Sequence, residues 1–590
     1  MDGFTVGNTV GDFTFYYSST PGIQNGPDGL ALSYQGTLIS GQFLSYEGSF
    51  AATDGPATGV TSTDIGVVEN GIDPVGESLQ LGGYGNLYSQ FYWQSPLAET
   101  PGAINNNQTF GNYTTWTGGT DSDWNSALNW NNGVPDALQS VIIPTGLTNY
   151  PTLTSAGSCN NLTIESSALG NGSLMGQGFL TVNGTTTIQR YTTQAVWHGI
   201  AGPLDNDDFN SLYFGGSPDV WGLWYNESIN DYEYATDLAT DLGDAKGWMV
   251  WVGGATPQTF NFTGDLRGGT VGPVALANTG PDPLHGYNFV GNPYPSAIDW
   301  DAAPGWTKTN VDAGIWVWNG TNWSTYVTGS GGTNGGLQYV SLAQGFFVQV
   351  NAAQSSGTLE MTNAVQVHNN APFMKAPASL PADLIKLKIT DGELSDESII
   401  RLDAEATEGY DGQFDMHKMF SWNEDHPQLY STANNFMTVN VLPKETVMVP
   451  MDVRGLDGNE MTIALEEVTD FAQVYLSDEY TGIQTNLMES PYTFIYDAGQ
   501  TDRFTIYFTV VGTTENQLEN IRVYSFDQKI RVIIPMELNA HVEVVNMLGQ
   551  TVIETDAHLG TRDINMDHGG YYLVNITGDN QRVTRKVFIK

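Results

Sequence analysis

No long stretch of this 590-residue chain carries apolar residues at the i, i+3, i+4, i+7 spacing of an amphipathic helix. Short apolar alternations such as Leu384-Ile385-Lys386-Leu387-Lys388-Ile389 recur instead, between turns rich in Gly, Asn, Thr and Pro. A period of two puts one face of a strand in a core and the other in water. Repeated at short intervals between turn residues, it builds an all-β protein. The 68 glycines supply the turns, and the 12% of aromatic residues supply core volume without long aliphatic helices. At about 100–200 residues per domain, the length allows roughly three to five domains. No apolar run reaches the ~18–20 residues that cross a bilayer as a helix.

Charge narrows the partners. The chain has 64 acidic residues against 20 basic, and no Lys or Arg precedes Arg190. Residues 515–590 hold 8 basic and 10 acidic residues, a local net charge of −2, so the rest carries −42 of the total −44. Nucleic-acid binding needs cations that displace counterions from phosphates, and this body repels a polyanion. An acidic surface suits solubility outside the cell and collects divalent cations. Cys159 is the only cysteine, so no intramolecular disulfide forms. It precedes the alternation Leu162-Thr163-Ile164, where a small buried hydrophobe fits better than a nucleophile.

The last seventy residues carry the most specific signal. The strand-like run containing Val544 leads into a turn at Leu548-Gly549. Then come Gly570-Tyr571-Tyr572 and a basic finish running from Lys586 to Lys590. In order and residue type this stretch resembles the C-terminal sorting domain (type A) of type IX secretion substrates of Bacteroidetes. The resemblance implies passage through the outer membrane, release or attachment at the cell surface, and the type IX machinery as partner. It also implies that Val544, Leu548, Gly549, Gly570, Tyr571, Tyr572, Lys586 and Lys590 belong to the signal.

Four further resemblances divide the chain. Residues 1–111, with Phe43-Leu44-Ser45-Tyr46-Glu47-Gly48-Ser49-Phe50 and Thr100-Pro101-Gly102-Ala103, are similar to the C-terminal part of a lamin-tail-like β-sandwich. The opening strands of that family are not present, and Met1-Asp2-Gly3-Phe4 lacks the basic and apolar segments of a signal peptide. A start part-way through a longer reading frame is therefore expected. Residues 112–189 form a Trp- and Gly-rich β module similar to stalk-like modules of Bacteroidetes surface proteins. Residues 190–370 resemble a β module found beside sorting domains, on the run Gly291-Asn292-Pro293-Tyr294-Pro295-Ser296. Residues 382–512 are similar to the Ig-like sandwich that precedes sorting domains, and 520–590 form the sorting domain itself. Linkers are expected at 371–381 and 511–519, with maturation cutting in the second. The expected architecture is an all-β, multi-domain string of β-sandwiches, Ig-like and lamin-tail-like, ending in a small C-terminal sandwich.

Chemistry-bearing motifs are sparse. The chain has no phosphate-binding Gly-Lys-Ser/Thr loop, no His-Glu-x-x-His pair and no Gly-x-Ser-x-Gly elbow, and its eight histidines are scattered. No catalytic residue is assigned, and the chain is read as a non-enzyme. Trp116, Trp124 and Trp130 are candidates for a glycan-stacking platform, weighed against ordinary core packing. Asp205, Asp207 and Asp208 are candidate oxygen ligands, weighed against a solvated turn. No cofactor is expected, with calcium the one metal the acidic turns suit.

The sequence thus points to a secreted, surface-attached or released protein of structural or adhesive role. Its partners beyond the export machinery are surface polysaccharides or other extracellular proteins. One alternative is a carbohydrate-binding accessory protein. Another is the non-catalytic C-terminal part of a secreted hydrolase or nuclease whose enzyme domain lies upstream of Met1.

Overall fold

The computed structural model describes residues 4–10, 13–19, 23, 28–69, 73–85, 88, 91–111, 113–193, 195–212, 220–235, 239–253, 257–280, 285–369, 381–433, 435–511, 517–578 and 581–590. The linker expected at 371–381 lies outside these residues except for Pro381, as does most of the segment 511–519. Among the described residues the regular elements are β-strands and short 3-10 turns, so the chain is all-β. No helix among them is long and apolar enough to cross a membrane. The chain divides into two compact units.

The first unit comprises Met1–Thr163 and Phe179–Thr186. It begins with the hairpin Thr5–Val10 and Phe13–Tyr17. Next, Asp28–Tyr34 pairs antiparallel with Thr37–Tyr46, and Thr63–Asp64 adds a parallel edge. In a third small sheet, Glu77–Gly85 lies between Phe91–Ala98 and Gln108–Phe110. These sheets are thinly covered, and Leu30, Leu32 and Tyr34 all face solvent. Beyond residue 112 the pairings turn parallel. Tyr113–Thr115 runs beside Ser140–Ile143, and Gly157–Cys159 beside Leu180–Val182. Cys159 is fully buried there, and burial pushes its thiol up to about 12.

The second unit comprises Ile164–Gly178 and Thr187–Lys590. A four-stranded antiparallel sheet orders Val196–Ala201, Gly247–Val252, Val220–Asn226 and Asp231–Tyr234. A five-stranded sheet follows: Tyr287–Gly291, Gly345–Gln349, Gly314–Trp318, Trp323–Val327 and Gly331–Thr333. Gly314–Trp318 and Trp323–Val327 are buried at every residue, because other layers cover both of their faces. The run Gly291 to Ser296 turns from the first strand of this sheet into Ala297–Asp299.

Residues 384–510 form one continuous ladder that folds over a core including Ile385, Leu387, Val449, Val474, Leu476 and Phe508. Its least local pairing is antiparallel, Leu384–Thr390 against Glu460–Val468, and a parallel pairing sets Ser395–Leu402 against Met437–Leu442. A further core joins this ladder to the segment before it. Trp316, Trp318, Trp323 and Phe347 pack there with Leu384, Ile399, Met416 and Val439. Beside it, the fully buried Asp396 pairs with Lys418 and accepts hydrogen bonds from Asn322 (2.8 Å), Asn334 (2.9 Å) and the Leu429 N–H (2.7 Å). A buried carboxylate with all of these donors is compensated, whereas one stripped of them is costly. The segments 190–370 and 382–512 are therefore joined through buried contacts as well as by the chain.

The C-terminal sandwich stacks two sheets. One orders Arg522–Phe526, Lys529–Ile534 and Gly560–Asn565, and the other Thr551–Ala557, Ala540–Asn546, Gly570–Gly578 and Gln581–Ile589. Ile530, Val532, Val542, Val544, Val574 and Ile576 fill the space between them. A small apolar contact made by Val447, Tyr475, Tyr507 and Ile533 joins this sandwich to the preceding ladder.

Candidate functional site

The residues read as the sorting signal fall into two groups. Val544 is fully buried at the middle of its strand, between Ile553 and Val574. Tyr572 is also buried, and its hydroxyl donates to the His568 carbonyl at 2.9 Å. These two hold the sandwich together. The others shape its surface. The turn after Asn546 is tied by that side chain, whose Oδ1 accepts from the Leu548 and Gln550 N–H groups at 3.0 Å each. Gly549 has φ +80° with open space around it, so its backbone conformation alone calls for glycine. The turn displays Met547 and Leu548, the latter 85% exposed. Gly570 opens its strand at φ +141°. Tyr571 stands exposed against Phe588 on the neighbouring strand, ring centroids 4.8 Å apart, with Lys586 Nζ 4.4 Å from the Tyr571 ring. Lys590 is exposed at the end of the last strand. Phe588 is the member of this surface that the sequence reading did not single out. Its place opposite Tyr571 depends on strand register.

The tryptophan platform is not there. Trp116, Trp124 and Trp130 are 0%, 0% and 5% exposed, edge to face on one another at 5.0 and 4.8 Å. Trp116 Nε1 donates to the Asn149 carbonyl at 2.8 Å and Trp130 Nε1 to the Trp124 carbonyl at 2.7 Å. Their ring faces are spent on each other, so a sugar has no face to stack on. They are the core of the Trp-rich module.

The acidic turn separates its three carboxylates. Asp205 pairs with Arg267 at 3.1 Å, and Asp208 accepts from the backbone and side-chain nitrogens of Asn210. Asp207 is buried, its Oδ2 3.3 Å from the Leu204 N–H and its Oδ1 without a partner among the described residues. Burial pushes its carboxyl up to about 7, against the pull of the Leu204 N–H and Arg267. Among the described residues no three His, Cys, Asp or Glu side chains converge as a metal-binding group.

The structure adds a cleft of about 640 Å³ on the 384–510 ladder. Phe420, Tyr430 and Phe436 form one wall, with ring centroids 5.1–6.0 Å apart. The Arg454 guanidinium lies 3.8 Å above the Phe420 ring, a stacking that a desolvated aromatic face favours. Gln428, Asn423, Thr432, Thr501, Asp452 and Asp502 add hydrogen-bonding groups. Asn435 and Phe436 both have left-handed backbone, φ 72° and 62°, which a bulky residue rarely adopts. That strain holds Phe436 at the rim, 40% exposed. No local pattern marks this cleft in the sequence, because its walls come from three stretches near residues 420–436, 452–455 and 496–502.

Comparison with known families resolves the two parts of the second unit. A family model described as a domain of unknown function (DUF8693) matches residues 170–508, more than half of the chain. The chain belongs to that family. The match runs across both the 190–370 segment and the ladder that shares its core. A second model, the secretion system C-terminal sorting domain, matches residues 527–590. The DUF8693 protein is thus a type IX secretion substrate, exported across the outer membrane to the cell surface or beyond. No curated protein matches the sequence. Among solved structures, one similar chain comes from work on PorZ, an essential bacterial surface component of the type-IX secretion system of Porphyromonas gingivalis. That likeness has 11% identity and a TM-score of 0.14, and covers 26% of this chain and only 22% of the other. It carries no argument about fold.

Proposed function

We propose that this protein is a non-enzymatic adhesive component of the cell exterior that holds a polysaccharide in the cleft around Arg454. The cleft carries the reading. It is concave, walled by aromatic rings and lined by amides, hydroxyls and carboxylates that match sugar hydroxyls. The cation on Phe420 and the strained Phe436 are fixed before any ligand arrives, which reduces the ordering cost of binding. This is the carbohydrate-binding alternative moved from the buried tryptophans to another surface.

The test is saturable binding of the full chain to a panel of immobilised polysaccharides. Arg454→Gln and Phe436→Ala alter exposed side chains and leave the ladder core intact. Each should weaken binding at least tenfold. Binding that neither substitution changes would place adhesion elsewhere on the molecule.

A further inference from the structure

Arg190 is the first cation in the chain, and it sits where the strand pattern calls for an apolar residue. In Thr186–Thr192 the buried positions are Thr186, Ile188, Arg190 and Thr192. Arg190 is 6% exposed. Its two terminal nitrogens donate to neutral acceptors, the Leu342 carbonyl at 3.1 Å and the Gln344 Oε1 at 2.8 Å. Gln344 is itself fixed through its Nε2 to the Gly199 and Gly345 carbonyls. The Arg190 Nε is buried without an acceptor, and no carboxylate pairs with the group among the described residues. Carbonyl acceptors orient a guanidinium but leave its charge unneutralised, and a buried charge is ordinarily paired. In a chain with 64 acids to 20 bases, a buried arginine without a counter-ion stands out.

Arg190 lines a cavity of about 290 Å³. Among the described residues the remaining wall includes Ser166, Ser167, Asn171, Thr193 and His198, and no Asp or Glu. The His198 Nε2 lies 2.8 Å from the Thr193 carbonyl. That oxygen only accepts, so Nε2 carries the proton and Nδ1 is left as an acceptor. Burial, with Arg190 nearby, lowers the imidazole to about 4, so it is neutral and offers no competing positive charge. The cavity has the size of a small-ligand site, one fixed cation and a hydroxyl-rich wall.

We propose that this cavity binds a small hydroxylated carboxylate, such as a sugar acid, with the ligand carboxylate supplying the counter-ion that Arg190 lacks. The ligand hydroxyls meet the serine, threonine and asparagine groups of the wall. The site is separate from the cleft around Arg454, and neither depends on the other.

The test is calorimetric titration of the full chain with D-glucuronate, D-glucose and N-acetylalanine. Glucuronate should bind, and glucose, the same ring without the carboxylate, should bind at least tenfold more weakly. Arg190→Met should abolish glucuronate binding. Because that variant also removes two buried donors, Ala168→Trp serves as a second probe. Ala168 is exposed at the turn joining Ser166–Ser167 to Gly170–Asn171 and lines the same cavity. The indole should close the entrance without touching the arginine and cost at least tenfold in affinity. Absence of glucuronate binding, or unchanged affinity in Ala168→Trp, would overturn the proposal and leave Arg190 a structural strut. Binding of N-acetylalanine in preference to glucuronate would also overturn it, in favour of a peptide carboxylate.

Discussion

Asp207 shows how one buried group couples this fold to pH. Gly202 packs so closely that a Cβ there would lie 2.5 Å from the Asp207 Oδ1, and this closure holds the carboxyl out of water. Its folded-state value, about 7, is above the ordinary 3.8. The unfolded chain therefore releases this proton first as pH rises. Its contribution to stability is fully present below about pH 4 and is lost towards pH 7, at up to about 1.4 kcal/mol per unit. Asp207→Asn removes the titration. Thermal melting should show little difference from the parent at pH 4.5 and a gain of roughly 2–4 kcal/mol at pH 8. A gap that stays constant across that range would mean the carboxyl is not held neutral. At this scale the sequence was least legible. Trp116, Trp124 and Trp130 have the residue type of both a sugar platform and a core, and only their mutual packing decides between them. Arg190 lies on the buried side of its strand, but the sequence did not mark it, because Ile188 and Tyr191 fall on opposite faces of that strand.

At the scale of elements, the run Gly291 to Ser296 was readable as a turn, since its prolines restrict φ. What the turn does came only with tertiary structure. Asn292 is fully buried, and its Nδ2 donates to the Ser296 carbonyl at 2.8 Å and the Ser341 carbonyl at 2.9 Å. Its Oδ1 accepts from the Tyr294 N–H at 3.0 Å. The Tyr294 hydroxyl reaches the Gly269 and Met361 carbonyls. The motif is a polar knot that pins distant strands, with partners up to 67 residues away. Asn292→Ala leaves several buried groups unpaired at about 1–3 kcal/mol each. It should lower the urea midpoint markedly, while Tyr294→Phe, which keeps the ring, should lower it less. Equal, small effects would show that water satisfies the freed groups. The alternating strand 384–389 was legible because its inward face alternates with a more exposed one. The parallel pairing of Ser395–Leu402 with Met437–Leu442 was not, because nothing local encodes a partner 40 residues away.

At the scale of the whole molecule, the β class followed from the lack of helical periodicity, and the export route from the last seventy residues. Composition could not show that a tryptophan-rich core and the Asp396 network join residues 190–370 to the following ladder. Those contacts pair residues from opposite sides of the 370–381 segment. The acidic body and the nearly neutral sorting sandwich differ in charge, and the sandwich carries the export signal. The sandwich has its own apolar core and meets the ladder through a small apolar contact and a few hydrogen bonds such as Gln484 Nε2 to the Leu559 carbonyl, so its removal should leave the body folded. The most direct test is deletion of residues 521–590 followed by fractionation of the producing cells. The expected result is a folded protein trapped in the periplasm and absent from the surface and the medium. Normal surface or medium levels of the shortened protein would contradict it.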